Sequence, residues 1–190
     1  YGLEVATDDR KLNLYRSYFD MELWHYMMAY NELLRLQEKR IADLCYDAAV
    51  WTGATNTAAA SVAWSTAATA VPQTDVNSAK TDINTKCGAE RFGLQMSWKS
   101  WMDVSLTNQL KGSIAYTQLP SGLIPLDTLA SMFQVDEIVI ANAPYNSANS
   151  GLTASLSKIW PTNKAFVYAI PDTNSPEEPR PGNTLYRDEQ

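Results

Sequence analysis

The chain offers one histidine, His25, and two cysteines, Cys45 and Cys87, for nucleophilic or metal-assisted chemistry. A Ser-His-Asp or Cys-His site would have to be built on His25, because these arrangements need an imidazole as general base. That residue lies between Trp24 and Tyr26 inside a long helical pattern, where a nucleophile is poorly presented. We therefore expect His25 to be a packed or surface residue and not a catalytic one.

The cysteines do not match a metal or disulfide pattern. They are far apart in the sequence and lack the CxxC or HExxH spacing of zinc sites. Two cysteines are also too few for a disulfide scaffold. We expect Cys45 and Cys87 to be buried thiols of two helices, which suits a reducing cytosol. The sequence contains no Walker loop, no G-x-G-x-x-G and no G-x-S-x-G, so we predict neither a metal ion nor a cofactor.

Carboxylates are the remaining groups that could support acid or base catalysis, and they occur as three adjacent pairs. The pairs are Asp8-Asp9, Asp136-Glu137 and Glu177-Glu178. We expect each to be a solvated turn or a helix-end charge. No residue is therefore predicted to be catalytic, and the chain is predicted not to be an enzyme. A soluble hydrolase that uses only carboxylates stays open as an alternative, because distant side chains can meet in a fold.

The charge balance argues against a surface that binds nucleic-acid phosphates. The 190 residues include 21 acidic and 15 basic ones, for a net charge of -6, whereas phosphate binding depends on clusters of Lys and Arg. No stretch approaches the roughly 18 apolar residues of a membrane helix, and the first residues show no signal-peptide pattern. With 45% hydrophobic residues, the chain can form the core of one large domain or two small ones.

The clearest predicted element is a long helix over residues 21–50, which contain no Gly and no Pro. Asp20 is a good N-cap, and Gly53 is expected to end the helix. Apolar residues recur at steps of three and four, as on one face of an amphipathic helix. They are Leu23, Met27, Tyr30, Leu34, Ile41, Leu44, Cys45 and Ala48. A helix of this length, about 45 Å, needs something large to lie along.

The rest of the sequence predicts a mixture of helices and strands, hence the α+β class. We expect a loop or short strand over residues 54–71 and a turn-rich loop over 142–151. Helices are predicted at 76–87, at 98–110 before Gly112, and at 127–133 with Asp127 as cap. Strands are predicted at 94–97, 137–141 and 164–170.

Six tryptophans and ten tyrosines are many for a chain of this size. Aromatic side chains are favoured both in cores and at protein interfaces. Either the core is rich in aromatic residues, or some tryptophans face neighbouring subunits. The candidates for the second role are Trp24, Trp51, Trp98 and Trp160.

Several segments, taken in order, resemble the major capsid proteins of tailed bacteriophages, which have the Hong Kong 97 fold. YGLE with DDR at residues 1–10 resembles the lead-in to that family's long helix. LASMFQVDEIVI at 129–140 resembles its LA..FGVD.V.V segment, and APYNSA at 143–148 its A.YNTA loop. SLSKIW at 155–160 and the strand that ends at Pro171 match two further motifs. Gln134 departs from the pattern, because Gly is usual there, and so does Pro161 after Trp160.

The resemblance implies a division of the chain into three parts. Residues 1–71 would hold the lead-in, the spine helix and part of the peripheral domain. Residues 72–171 would form the axial domain, and residues 172–190 a loop or return segment. The N-terminal arm and extended loop would precede Tyr1, and the final strands would follow Gln190.

The resemblance also implies a structural coat protein that self-assembles into an icosahedral head around phage DNA. Expected partners are other copies, as pentamers and hexamers, with scaffold, portal or decoration proteins. The DNA would be enclosed without sequence-specific binding, in a virion assembled in the host cytoplasm. A nanocompartment shell of the encapsulin type, which carries an enzyme cargo, is an alternative with the same fold.

Overall fold

A computed structural model describes residues 10, 14–15, 18, 20–52, 56–114, 122–148, 152–173, 175 and 177–182. The chain divides into two compact units. The first unit comprises Tyr1–Leu44 and Ala143–Ile159, and the second comprises Cys45–Asn142 and Trp160–Gln190.

Helix α1, Met21–Tyr46, is the longest element of the described residues. It begins as predicted, because the Asp20 carboxylate accepts a hydrogen bond from the Leu23 amide at 3.0 Å and so satisfies a free helix donor. It ends four residues before the predicted limit. The amides of Val50 and Trp51 both donate to the carbonyl of Asp47, which forms a turn in place of a further helical turn.

The apolar face predicted for α1 is exposed in the part of the chain that the structure describes, since Ala42 is the one buried residue of the helix. Its large apolar side chains are exposed instead. They are Leu23, Trp24, Tyr26, Met27, Met28, Tyr30, Leu33, Leu34, Leu36, Ile41 and Leu44. Helices of globular domains normally bury such a face. The described residues do not cover this one, so they do not give α1 the stabilisation that burial would provide.

The second unit is built on a mixed three-stranded sheet. The central strand β1, Phe92–Ser97, pairs in parallel with β2, Glu137–Ala141, and antiparallel with β5, Ala165–Ala169. A parallel pair needs a crossover connection. Here the chain between β1 and β2 includes three helices, α3 (Trp98–Ser105), α4 (Asn108–Ile114) and α5 (Leu126–Phe133).

Helix α2, Pro72–Cys87, packs with these elements around one hydrophobic core. It ends on Gly88, whose φ of 68° is the left-handed conformation of a helix C-cap. The most deeply buried apolar side chains of the core come from four helices, from β1 and from the segment before α5. They are Val76, Leu94, Met96, Val104, Leu110, Ile124, Leu129 and Phe133.

The single helix predicted over residues 98–110 is in fact two helices, α3 and α4. The Thr107 hydroxyl donates to the carbonyl of Val104 at 2.7 Å, which ends α3. The Asn108 amide donates to Ala67, in a distant loop, instead of to a preceding turn. Gly112 lies inside α4 and does not follow the helix.

Two further expectations about local structure were wrong. Asp127 lies in the first turn of α5 and does not cap it, because the N-cap position is held by Pro125. The loop predicted over residues 142–151 contains a short strand, β3 (Pro144–Asn146), which pairs antiparallel with β4 (Leu156–Lys158). A three-residue strand is too short to show alternation in the sequence.

The two cysteines are also less buried than predicted. Cys45 is half-buried, and Cys87 is exposed at the last turn of α2. The Cys87 thiol donates to the carbonyl of Ile83 at 3.1 Å.

The sequence predicted a loop or short strand before α2. Residues 56–71 contain neither helix nor strand, which supports a loop there.

Gln134 is the C-cap of α5 and has a φ of 52°, a left-handed conformation that Gly adopts more easily than other residues. We therefore expect Gln134→Gly to raise the free energy of unfolding by about 1 kcal/mol. Urea denaturation of both proteins measures the change. Gln134→Ala is the matched control and should give no gain, because alanine keeps the Cβ that disfavours this conformation.

Candidate functional site

The carboxylate pairs do not converge within the described residues. Asp136 pairs with Arg91 at 3.3 Å, and Asp172 pairs with the same guanidinium at 3.4 Å. Glu137 accepts a hydrogen bond from the Tyr168 hydroxyl at 2.6 Å. Arg91 precedes β1, Asp136 precedes β2 and Asp172 follows β5, so this cluster ties together the ends of three strands.

The third carboxylate pair belongs to a local turn. Glu178 accepts hydrogen bonds from the amide and the hydroxyl of Thr173, and these bonds lower the pKa of the Glu178 carboxyl. Asp8 and Asp9 lie outside the described residues. The arrangement of the other four acidic side chains can hold turns and strand ends in place, and it does not aim two carboxylates at a common point.

His25 lies on α1 with its ring centroid 5.1 Å from that of Trp24. The described residues contain no group of three or more His, Cys, Asp or Glu side chains that could hold a metal ion. None of the described helices has the length and hydropathy needed to cross a membrane.

Aromatic side chains cover the second face of the sheet, opposite the main core. The ring of Phe166, on β5, lies 6.1 Å from that of Tyr46 and 5.7 Å from that of Trp51. The Tyr46 hydroxyl donates to the side-chain carbonyl of Gln95, at the centre of β1. The Tyr168 ring covers Gly93, where any Cβ would clash with the ring at its Cζ. Only a glycine leaves space for this ring.

Burial raises the pKa of both tyrosines on this face. For Tyr46 the main cause is loss of water, with a contribution from Cys45. For Tyr168 it is again loss of water, followed by the hydrogen bond to Glu137 and the charge of that carboxylate. These hydroxyls are structural groups in the present arrangement, because each already has a hydrogen-bond acceptor.

The free energy of unfolding is expected to fall as the pH rises above about 10, the ordinary pKa of tyrosine. In that range the folded protein retains protons on Tyr46 and Tyr168 that the unfolded chain has released, so alkali favours unfolding. Thermal unfolding between pH 8 and 11 measures the effect. The double variant Tyr46→Phe/Tyr168→Phe should show a shallower decline; an unchanged slope would contradict this assignment.

The tryptophans divide between the two roles considered for them. Trp51 and Trp160 are half-buried, and the Trp160 ring stands edge-on to Tyr46 at 6.0 Å. Trp24 and Trp98 are exposed, on α1 and α3. The exposed apolar residues of α1 thus form a candidate interaction surface among the described residues of the first unit. Sequence periodicity alone could not show that this face is exposed.

The fold is similar to that of a solved phage-related protein from Bordetella bronchiseptica RB50. The TM-score is 0.62 and the sequence identity 24%, and the match covers 80% of this chain and 50% of that one. The chain therefore spans half the length of this similar structure. Comparison with protein-family models gave no match, and neither did a search of curated proteins. The likeness supports the fold class of this chain, an α+β fold with a long N-terminal helix and a mixed three-stranded sheet.

Proposed function

We propose that this chain is the central part of the major capsid protein of a tailed bacteriophage, with the Hong Kong 97 fold. The observation that carries the proposal is the similarity of its fold, over 80% of its length, to a protein described as phage-related. The ordered motifs between residues 129 and 171 point to the same family. In this assignment α1 is the spine helix, and the domain limits at residues 71 and 171 stay as predicted from the sequence.

The proposed role is structural, with no catalytic residues. Copies of the chain associate through heterologous contacts, which close into rings when the rotation between neighbours is right. Pentamers and hexamers of this kind then close into an icosahedral head. Each contact can be modest, because many contacts that form together strengthen one another.

Two features of the protein support a role as a shell subunit. Helix α1 exposes apolar side chains along its whole length, which a protein that acts as a monomer rarely does. The net charge of -6 suits a shell that encloses DNA without holding it tightly. In the proposed virion, scaffold, portal or decoration proteins are further partners, and assembly takes place in the host cytoplasm.

Negative-stain electron microscopy of the expressed full-length protein, alone and with its scaffold partner, tests the proposal. We expect closed particles or ring-shaped capsomers. Small uniform monomers under all conditions would contradict a coat protein. Closed particles that carry an enzyme cargo would contradict a phage head and would instead indicate a nanocompartment.

A further inference from the structure

Residues 56–71, which contain neither helix nor strand, are fastened to α2 near both ends of that helix. We call this segment the strap. The Asn56 side-chain carbonyl accepts a hydrogen bond from the amine of Lys86, in the last turn of α2. Further along the strap, two side chains bind Asp75, in the first turn of α2. The backbone positions of Asp75 and Lys86 are roughly 16 Å apart at 1.5 Å per residue, so the strap runs along the helix.

Asp75 is the main fastening point of the strap. One oxygen of its carboxylate accepts hydrogen bonds from the amide of Ser61, at 3.2 Å, and from the hydroxyl of the same residue. The other oxygen accepts a hydrogen bond from the indole N–H of Trp64 at 2.8 Å. Hydrogen bonds to a charged acceptor are stronger than those between neutral groups. A single side chain of α2 therefore makes three of the bonds that hold the strap in place.

The strap has little apolar burial of its own. Trp64 is half-buried and packs against the core, and Ala70 is buried, but most of the other side chains are exposed. A further attachment is the hydrogen bond from the Asn108 amide to the Ala67 carbonyl, at 2.8 Å. Segments with few buried apolar contacts open at a lower free energy than the core of a protein. The strap should therefore open more often than the helices and the sheet unfold.

We propose that the strap detaches from α2 as one segment while the sheet and the helices stay folded, and that Asp75 is the latch that sets how often it opens. Opening uncovers the first turn of α2 and the side of the core on which Trp64 packs. The strap is thus a conformational device that changes the surface of the second unit without unfolding it. The inference concerns a single chain and does not depend on the proposed coat function.

The rate of thiol labelling in the full chain tests the proposal, in a background where Cys45→Ala and Cys87→Ala remove the native thiols. Ala70→Cys places a thiol at the buried residue of the strap, and Val104→Cys places one at a fully buried position of the core. The thiol at residue 70 should be labelled at least about tenfold faster, because local opening is more frequent than global unfolding. Equal labelling rates at the two positions would overturn the proposal.

Asp75→Ala identifies the latch. It should raise the labelling rate of Ala70→Cys by about tenfold or more, because three hydrogen bonds to one carboxylate are lost. Asp82→Ala is the matched control and should leave the rate unchanged, since Asp82 lies seven residues further along the same side of α2 and is not a hydrogen-bond partner of the strap. Trp64→Phe removes one donor and keeps an aromatic ring, so it should give a smaller increase, and it carries the test if Asp75→Ala does not fold. No increase in a folded variant of the latch would contradict the assignment.

Leu129→Ala shows whether the strap and the core open separately. Leu129 is fully buried on α5, a helix that makes none of the bonds that hold the strap. Its loss destabilises the core in both the closed and the open state of the strap. Labelling of Val104→Cys should therefore become at least about tenfold faster, while labelling of Ala70→Cys stays unchanged. Equal acceleration at residues 70 and 104 would mean that the strap opens only when the chain unfolds, and it would reject the proposal.

Discussion

Leu34→Pro is expected to abolish particle assembly. A proline at this position removes the amide that an α-helix bonds to the carbonyl four residues earlier, at Tyr30, and its ring clashes with that carbonyl. The cost is about 3 kcal/mol or more in a helix interior, and Leu34 lies at the middle of α1. Sedimentation and electron microscopy of the assembled fraction measure the result.

Leu34→Ala is the matched control for this substitution, because alanine removes the same apolar side chain and keeps the helix. Circular dichroism should show reduced helicity for Leu34→Pro and unchanged helicity for Leu34→Ala. Particles that form normally with proline at residue 34 would mean that an intact α1 is not required by the shell. Weakened assembly in Leu34→Ala, with full helicity, would show that the exposed Leu34 side chain itself contributes to assembly.

Much of the fold could be predicted because its signals are local. The Asp20 cap and the absence of Gly and Pro after it predict the start of α1 and most of its length. The apolar run of β2 and the run of β5 before Pro171 predict two strands of the sheet. Each of these signals depends on residues that are neighbours in the sequence.

The errors fall where a distant contact decides the structure. The break between α3 and α4 depends on Ala67, which accepts the bond from the Asn108 amide. Strand β3 exists because it pairs with residues 156–158, and three residues carry no periodic signal of their own. Neither partner can be identified from the local pattern.

The candidate site also combines features that local sequence signals predict with features that depend on distant contacts. The three- and four-residue spacing of the apolar residues predicts which side chains of α1, including Leu34 and Ile41, share one side, because helical geometry places residues at these spacings on the same face. Exposure of that side is a property of the folded chain. Likewise, no sequence motif links Arg91 to Asp136 and Asp172, which come together only when three strands align.

Phe133→Ala is expected to lower the free energy of unfolding by about 3–5 kcal/mol, through lost burial and the cavity left behind. Phe133 is fully buried at the end of α5, in the core that also contains Leu94 and Met96. Small domains are stable by only about 5–15 kcal/mol in total, so the variant should be largely unfolded at modest urea concentrations. Leu126→Ala, on the same helix but 37% exposed, is the control and should cost much less. Equal urea midpoints for the two variants would show that α5 does not pack on the sheet through Phe133.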